Sequence, residues 1–300
     1  MLTKLTDHIS ILDTLALGRP NVVAAYLVTG KQSALVDMGY RSSTKTVLRD
    51  LEGRTIDYLL PTHVHLDHSG ACGTLAEKFP NAAILVHPIG QKHLIDPSLL
   101  IQGATELFGT DLMNQYGLPE PIASKRVQVA SDDDQIDLGN GIVLRTIWTP
   151  GHASHHLSYF IESTRTMLTG DCVGVHFPEV PTLAPTTPPP SFNLDKALLS
   201  LERVEKLNPE YLCTPHFGPL RDPQTWLEAN KRILREWETR VADSLKAGKP
   251  VELIAKELTD GISMNLQRLP GDLPAHFKTL VRVNVIGMVR WLQYASERKP

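Results

Sequence analysis

Apolar and polar positions alternate along the chain in short runs, and the period of each run sets the element it predicts. Val22 to Val28 and Ala34 to Asp37 are β-rich stretches on either side of Gly30-Lys31, the pattern of a hairpin. Ser42 or Ser43 is placed to cap a helix running to Glu52. Tyr58-Leu59-Leu60 is a short apolar strand stopped by Pro61, followed by a predicted helix from Gly70 to Phe79 and a strand at Ala83 to Val86. Ile142 to Trp148, Leu157 to Ile161, Met167 to Thr169 and Tyr211 to Cys213 read as further strands. Leu194 to Leu207 puts Leu194, Ala197, Leu198, Leu201, Val204 and Leu207 on one face of an amphipathic helix. Strands and helices interleave throughout, which predicts an α/β layered architecture.

Two regions break this rhythm. Residues 97–120 read as a helical insertion between strands, and 172–192 as a proline-rich loop of stiff polyproline character. Beyond Pro223 the pattern is helical, over 223–246, 250–259 and 274–296. The expected organisation is a main domain over 1–222 and a helical extension over 223–300.

Composition narrows the function classes. The 300 residues are 42% hydrophobic and 21% charged, with a formal net charge of −3, an ordinary globular balance. No basic surplus points to nucleic acid or an anionic membrane as partner. The N-terminus carries no signal-peptide pattern and no apolar run is long enough for a bilayer, so the expected location is the cytoplasm. Three cysteines, Cys72, Cys172 and Cys213, argue against a disulfide framework and are expected to be small buried side chains. The tail helices are compatible with a homodimer.

The chemistry concentrates in Thr62-His63-Val64-His65-Leu66-Asp67-His68, where four metal-competent side chains follow the strand ending at Leu60. Imidazole and carboxylate together suit zinc, iron or manganese. In an extended stretch His63 and His65 point the same way, and Asp67 and His68 follow as the chain turns toward its helix. The density of ligand-type residues argues against a chance group of surface histidines.

His-x-His-x-Asp-His after a short strand resembles the signature of the metallo-β-lactamase superfamily. Pro150-Gly151-His152, Thr169-Gly170-Asp171 and Thr214-Pro215-His216 each follow a strand, in the order in which that family places its third histidine, bridging aspartate and last histidine. The resemblance spans residues 5–220, and the helical tail is similar, more loosely, to glyoxalase-II-like members including PqsE-type thioesterases. It implies a four-layer αβ/βα sandwich with a C-terminal helical extension. It also implies two divalent metal ions, zinc first with iron or manganese as alternatives. His63, His65 and His152 would hold one metal, Asp67, His68 and His216 the other, and Asp171 would bridge them. Where the family commonly has Pro-Gly-His-Gly, this chain has Pro215-His216-Phe217-Gly218. Asp37 resembles a family aspartate that orients a ligand. His155, His156, His8, His87 and His93 are expected to be scaffold, and His176 and His276 are candidates to face substrate.

The resemblance implies hydrolysis of a small-molecule ester, thioester or lactone by water activated between the metals, with Asp67 and Asp171 as catalytic carboxylates. Asp171 at the bridging position favours the glyoxalase-II and lactonase side of the superfamily over the true lactamases. His65 disfavours the flavodiiron reductases, which usually carry glutamate there. A nuclease or phosphodiesterase using the same metals is the alternative, as is a metal-binding regulatory protein without turnover. Residues 97–120, the 172–192 loop and the tail are expected to wall the pocket, with Phe108, Phe177, Phe192 and Phe217 as candidate apolar contacts. No cluster of lysine and arginine forms a glutathione clamp, so lactoylglutathione is not the leading substrate.

Overall fold

The structure is a computed structural model. It describes residues 2–177, 180–266 and 273–297, with backbone alone at 177, 180–182, 262–266 and 273–275. Among the described residues the strands form two large sheets and a two-stranded ribbon. The first sheet runs β1 (Leu2–Lys4), β2 (Ile9–Asp13), β3 (Ala24–Thr29), β4 (Ser33–Val36), β5 (Tyr58–Leu60), β6 (Ala83–Val86) and β7 (Val127–Val129) in sequence order. Pairing is antiparallel from β1 to β4 and parallel from β4 to β7. The second sheet contains β8 (Gln135–Asp137), β9 (Val143–Trp148), β10 (Leu157–Ile161) and β11 (Thr166–Leu168), and ends on β14 (Tyr211–Cys213) parallel to β11. The ribbon is β12 (Val175–Phe177) paired with β13 (Val180–Ala184).

The near-continuous apolar runs of β3 to β5 have a direct cause: both faces of these strands are buried. Side chains alternate between faces, so neighbours in sequence enter different cores. Ala25, Leu27, Leu35 and Leu59 pack outward with Val47, Leu51, Leu75 and Leu94 of the covering helices and loops. Ala24, Tyr26, Val28, Ala34, Val36 and Leu60 pack inward against Leu144, Leu157, Tyr159, Ile161 and Leu168 of the second sheet. Truncating Leu35, which is fully buried, to alanine removes about 2–5 kcal/mol by loss of burial and a residual cavity.

The contacts divide the chain into two compact units. The first takes the chain up to Trp148, His155–Gly170 and Asn208–Arg221, and so contains both sheets. The second takes Thr149–Ser154, Asp171–Leu207 and the chain from Asp222 on. In the second unit helix Leu194–Lys206 is capped by Asn193, whose side chain accepts from the Lys196 N–H. Helix Pro223–Lys246 buries Leu227, Asn230, Leu234, Trp237 and Val241, a repeat of three and four residues that makes one buried stripe. Helices Val251–Leu266 and Leu273–Glu297 complete the C-terminal part. No helix among the described residues is long and apolar enough to cross a membrane.

Two local expectations are corrected. The helix expected over Gly70 to Phe79 forms over Cys72–Lys78, but a separate helical turn, Leu66–Ser69, precedes it, so Asp67 and His68 sit on a helical turn rather than before one. The 172–192 loop contains the β12–β13 ribbon, whose strands find each other only a few residues apart. The insertion at 97–120 is helical as expected, over Ser98–Phe108 and Thr110–Tyr116.

Candidate metal centre

Each candidate ligand follows the C-terminal end of a strand, where an α/β sheet delivers its loops. The loop after β5 carries His63, His65, Asp67 and His68, and the loop after β14 carries His216, all in the first unit. His152 follows β9, Asp171 follows β11, and both belong to the second unit.

Asp37 anchors the loop after β5. It leaves β4 with φ 55°, a left-handed conformation that aspartate tolerates better than most residues. Its carboxylate accepts from the Thr62 N–H at 2.8 Å and from the Thr62 hydroxyl at 3.0 Å. It also accepts from His68 Nδ1 at 3.0 Å, deep in the core where His68 has no exposed surface. The Thr62 hydroxyl spends its only proton on Asp37, so the 3.0 Å contact to His63 Nδ1 is donated by the imidazole. His63 Nε2 therefore presents a lone pair, and it faces His65 Nδ1 at 2.8 Å. His155 Nε2 accepts from the Val64 N–H at 3.2 Å and steadies the same loop.

His216 is held in the same way from the opposite sheet. Its Nδ1 donates to the Val22 carbonyl at 3.1 Å, an oxygen that can only accept. The preceding loop is pinned by the Tyr26 hydroxyl on the Thr214 carbonyl at 2.6 Å and by the Ala24 N–H on the Pro215 carbonyl at 2.6 Å. Phe217 adopts φ 62° without being glycine, so the absent family glycine does not prevent the turn. Gly218 carries the steric demand instead: a Cβ there would lie 2.7 Å from the Thr214 nitrogen.

With Nδ1 of both rings engaged, His68 and His216 turn Nε2 toward one carboxylate oxygen. Asp67 Oδ2 lies 3.4 Å from His68 Nε2 and 3.6 Å from His216 Nε2. In its neutral form each ring offers an Nε2 lone pair there, which is the form a metal requires. Two ligands about 2.1 Å from a tetrahedral metal stand about 3.4 Å apart, so this donor set fits a divalent ion in both chemistry and spacing. Asp67, His68 and His216 are the residues that would hold it, their ligand atoms all within 4.8 Å of one another. His63 lies beside them, its ring centroid 4.0 Å from that of His68.

The second unit repeats the arrangement. His152 Nδ1 donates to the Thr186 carbonyl at 3.2 Å, and its Nε2 faces Asp171 Oδ2 at 3.5 Å. The turn carrying His152 has φ 142° at Gly151, and a Cβ there would lie 2.4 Å from Ala197 Cα of the helix behind it. Gly170, just before Asp171, has no room for a side chain because a Cβ would meet His156 Nε2 at 2.4 Å.

The other histidines divide by role. His156 is fully buried against Gly170 and His155 supports the ligand loop. His87 accepts from the Ile89 N–H as a helix cap and stacks on Trp148, with centroids 5.7 Å apart. His8 contacts the Thr29 carbonyl at 3.0 Å. His176 packs edge-on to Trp226 with centroids 4.8 Å apart, and His276 is partly buried on the C-terminal helix. Of the candidate wall residues, Phe192 is buried, Phe217 packs on the inter-sheet core and Phe108 sits edge-on to Tyr116. The Phe177 side chain lies outside the described residues. Sequence reasoning missed Thr62, Tyr26, Val22 and Thr186. Only Thr62, adjacent to His63, had a local signal.

Comparison with known proteins identifies the family. The sequence pattern of the metallo-beta-lactamase superfamily matches residues 18–216. The metallo-beta-lactamase fold-containing protein ST1585 of Sulfurisphaera tokodaii is 30% identical over 256 residues, covering 83% of this chain and 91% of that protein. A crystal structure of ST1585, described as an archaeal metallo-beta-lactamase superfamily protein, superposes with a TM-score of 0.71 at 23% identity, over 95% of this chain and 99% of its own. Flavo-diiron protein FprA2 of Clostridium acetobutylicum is 24% identical over 79% of this chain and 61% of its own length. The probable metallo-hydrolase MJ0888 of Methanocaldococcus jannaschii is 26% identical over 62% of this chain and 85% of that protein. The chain belongs to the metallo-beta-lactamase superfamily.

Proposed function

We propose that the protein is a dinuclear metal-dependent hydrolase of a small-molecule ester, thioester or lactone. In this reading His63, His65 and His152 would hold one divalent metal and Asp67, His68 and His216 the other, with Asp171 as a ligand common to both. The observation that carries this reading is the convergence of two Nδ1-anchored imidazoles on Asp67 Oδ2, at 3.4 and 3.6 Å. Family membership and the likeness to a protein named a metallo-hydrolase support it. Zinc is the first assignment, and the likeness to a flavo-diiron protein supports iron as the alternative. Such metals supply a water acidic enough to ionise near neutral pH and a Lewis acid for the substrate carbonyl.

The residues divide the remaining work. Asp37 and the Val22 carbonyl fix the tautomers of His68 and His216, so that Nε2 is available without rearrangement. Asp67 turns Oδ2 to these imidazoles, and its Oδ1 is assigned to take the proton of the attacking water. Asp67 is also the more open carboxylate, with a side chain 21% exposed against 7% for Asp171. The helical insertion, the 172–192 segment and the C-terminal helices are assigned to substrate choice. The three buried thiols suit a reducing, cytoplasmic setting.

The test is a screen of the metal-loaded protein against aryl esters, acyl thioesters and lactones. Turnover of at least one class is expected, abolished by a chelator and by Asp171→Ala. Wild-type turnover in Asp171→Ala with metal still bound would overturn the mechanism. Turnover of bis(p-nitrophenyl) phosphate or RNA in place of the carbonyl substrates would replace it with the phosphodiesterase reading.

A further inference from the structure

The turn that carries His152 is held from behind by one short stretch of the second unit. The Thr186 carbonyl accepts from His152 Nδ1 at 3.2 Å, and the Thr186 hydroxyl donates to the Asp171 carbonyl at 2.7 Å. One residue thus touches both His152 and Asp171. The next residue, Thr187, is fully buried and is clamped by the C-terminal helix Leu273–Glu297. Its N–H donates to Asn284 Oδ1 at 2.7 Å and its hydroxyl donates to the Asn284 carbonyl at 2.8 Å.

Gly287, one turn further along that helix, shows how close this approach is. A Cβ there would lie 1.9 Å from the Thr187 carbonyl oxygen and 2.8 Å from the Pro189 nitrogen. The segment therefore lies directly on the helix backbone, and no residue larger than glycine fits at 287 without displacing it. Asn284 supplies what a backbone in such contact needs. It offers a side-chain acceptor for an N–H that would otherwise be buried unmet, and a carbonyl that takes a second bond.

We infer that Asn284 and Gly287 are positioning residues for His152 and Asp171, acting through Thr187 and Thr186. The helix beyond residue 273 would then be part of the metal centre's support. This rests on the proposed metal role of His152 and Asp171. It adds that their placement is set from nearly 100 residues further along the chain, an interval of 97 between Thr187 and Asn284. Removing a group that orients a metal ligand typically weakens metal binding about 10–100-fold, and Asn284 acts two residues beyond Thr186, so the lower figure is the upper bound.

The experiment is a zinc competition titration with a chromophoric chelator on the full chain, comparing wild type, Asn284→Ala, Asn284→Asp and His152→Ala. Melting of each metal-free form is measured alongside. Asn284→Asp keeps the acceptor oxygen and is expected to bind zinc within about twofold of wild type. Asn284→Ala is expected to bind up to about tenfold more weakly while its metal-free form still melts cooperatively. Should Asn284→Ala not fold, Thr187→Val, which removes the hydroxyl at nearly constant shape, is expected to shift zinc binding in the same direction. Wild-type zinc affinity in Asn284→Ala, or in Thr187→Val in its place, overturns the inference when His152→Ala has lost a metal. Full zinc binding in His152→Ala locates the failure in the metal assignment itself, and the inference falls with it.

Discussion

His68 donates through Nδ1 to the buried carboxylate of Asp37 at 3.0 Å, and that bond decides which ring nitrogen faces Asp67. The same carboxylate holds Thr62, which in turn holds His63, so one side chain orients two ligand candidates. Asp37→Ala is expected to weaken zinc binding about 10–100-fold. Asp37→Asn keeps the shape and tolerates the left-handed φ of 55°, and is expected to lose less. Zinc titration of the two variants checks the order, and equal affinity in Asp37→Ala and wild type would contradict it.

Two glycines separate space from conformation. Gly218 lies where a Cβ would meet the Thr214 nitrogen at 2.7 Å and the Leu212 carbonyl oxygen at 2.9 Å, beside His216. Gly218→Ala should therefore lower both thermal stability and metal affinity. At Gly103, within helix Ser98–Phe108, a Cβ would meet nothing within 4 Å, so Gly103→Ala should raise stability by about 0.5–1 kcal/mol. Chemical unfolding of the metal-free proteins gives both signs. A destabilised Gly103→Ala would mean that the insertion packs differently.

How much of the fold and the site is legible in the sequence depends on distance along the chain. The ligand loop is readable because His63, His65, Asp67 and His68 are neighbours, and Asp37 because it ends an apolar strand. The supports are not. Tyr26 reaches Thr214 across 188 residues, and the Val22 carbonyl reaches His216 across 194. A backbone carbonyl has no side-chain identity to read. Among the strands that the sequence reading misses, three fail for another reason. β1, β7 and β8 are three residues each with at most one buried position, too short for a period of two to build up. The helical tail is legible because buried positions at 227, 230, 234, 237 and 241 repeat a helical period.

Acid should weaken the fold through Glu120. The Thr74 hydroxyl, at 2.6 Å, and the Arg41 guanidinium, at 2.7 Å, hold its carboxyl below the usual carboxylate range. A folded value below the unfolded one gives stability that is complete above the unfolded pKa, about 4.3, and is lost as pH falls through the folded value. Glu120→Gln should be less stable than wild type at pH 7 and converge with it on acidification. Urea midpoints of the metal-free proteins between pH 7 and 3 test this, and a gap that stays constant with pH would contradict it.

The cysteines should be inert. Cys72, Cys172 and Cys213 are buried, and burial pushes the thiols of Cys72 and Cys213 up to about 12. A disulfide-exchange reagent at pH 8 should find no fast-reacting thiol in the native protein and all three after unfolding. Rapid release of one equivalent from the native state would show that a cysteine is accessible.

The central claim is that this chain folds a two-metal centre, and elemental analysis of the zinc-loaded, dialysed protein tests it most directly. Wild type should retain about two metals per chain, with retention reduced in His65→Ala, Asp171→Ala and His216→Ala. Fewer than one metal in wild type, or two in all three variants, would contradict the account.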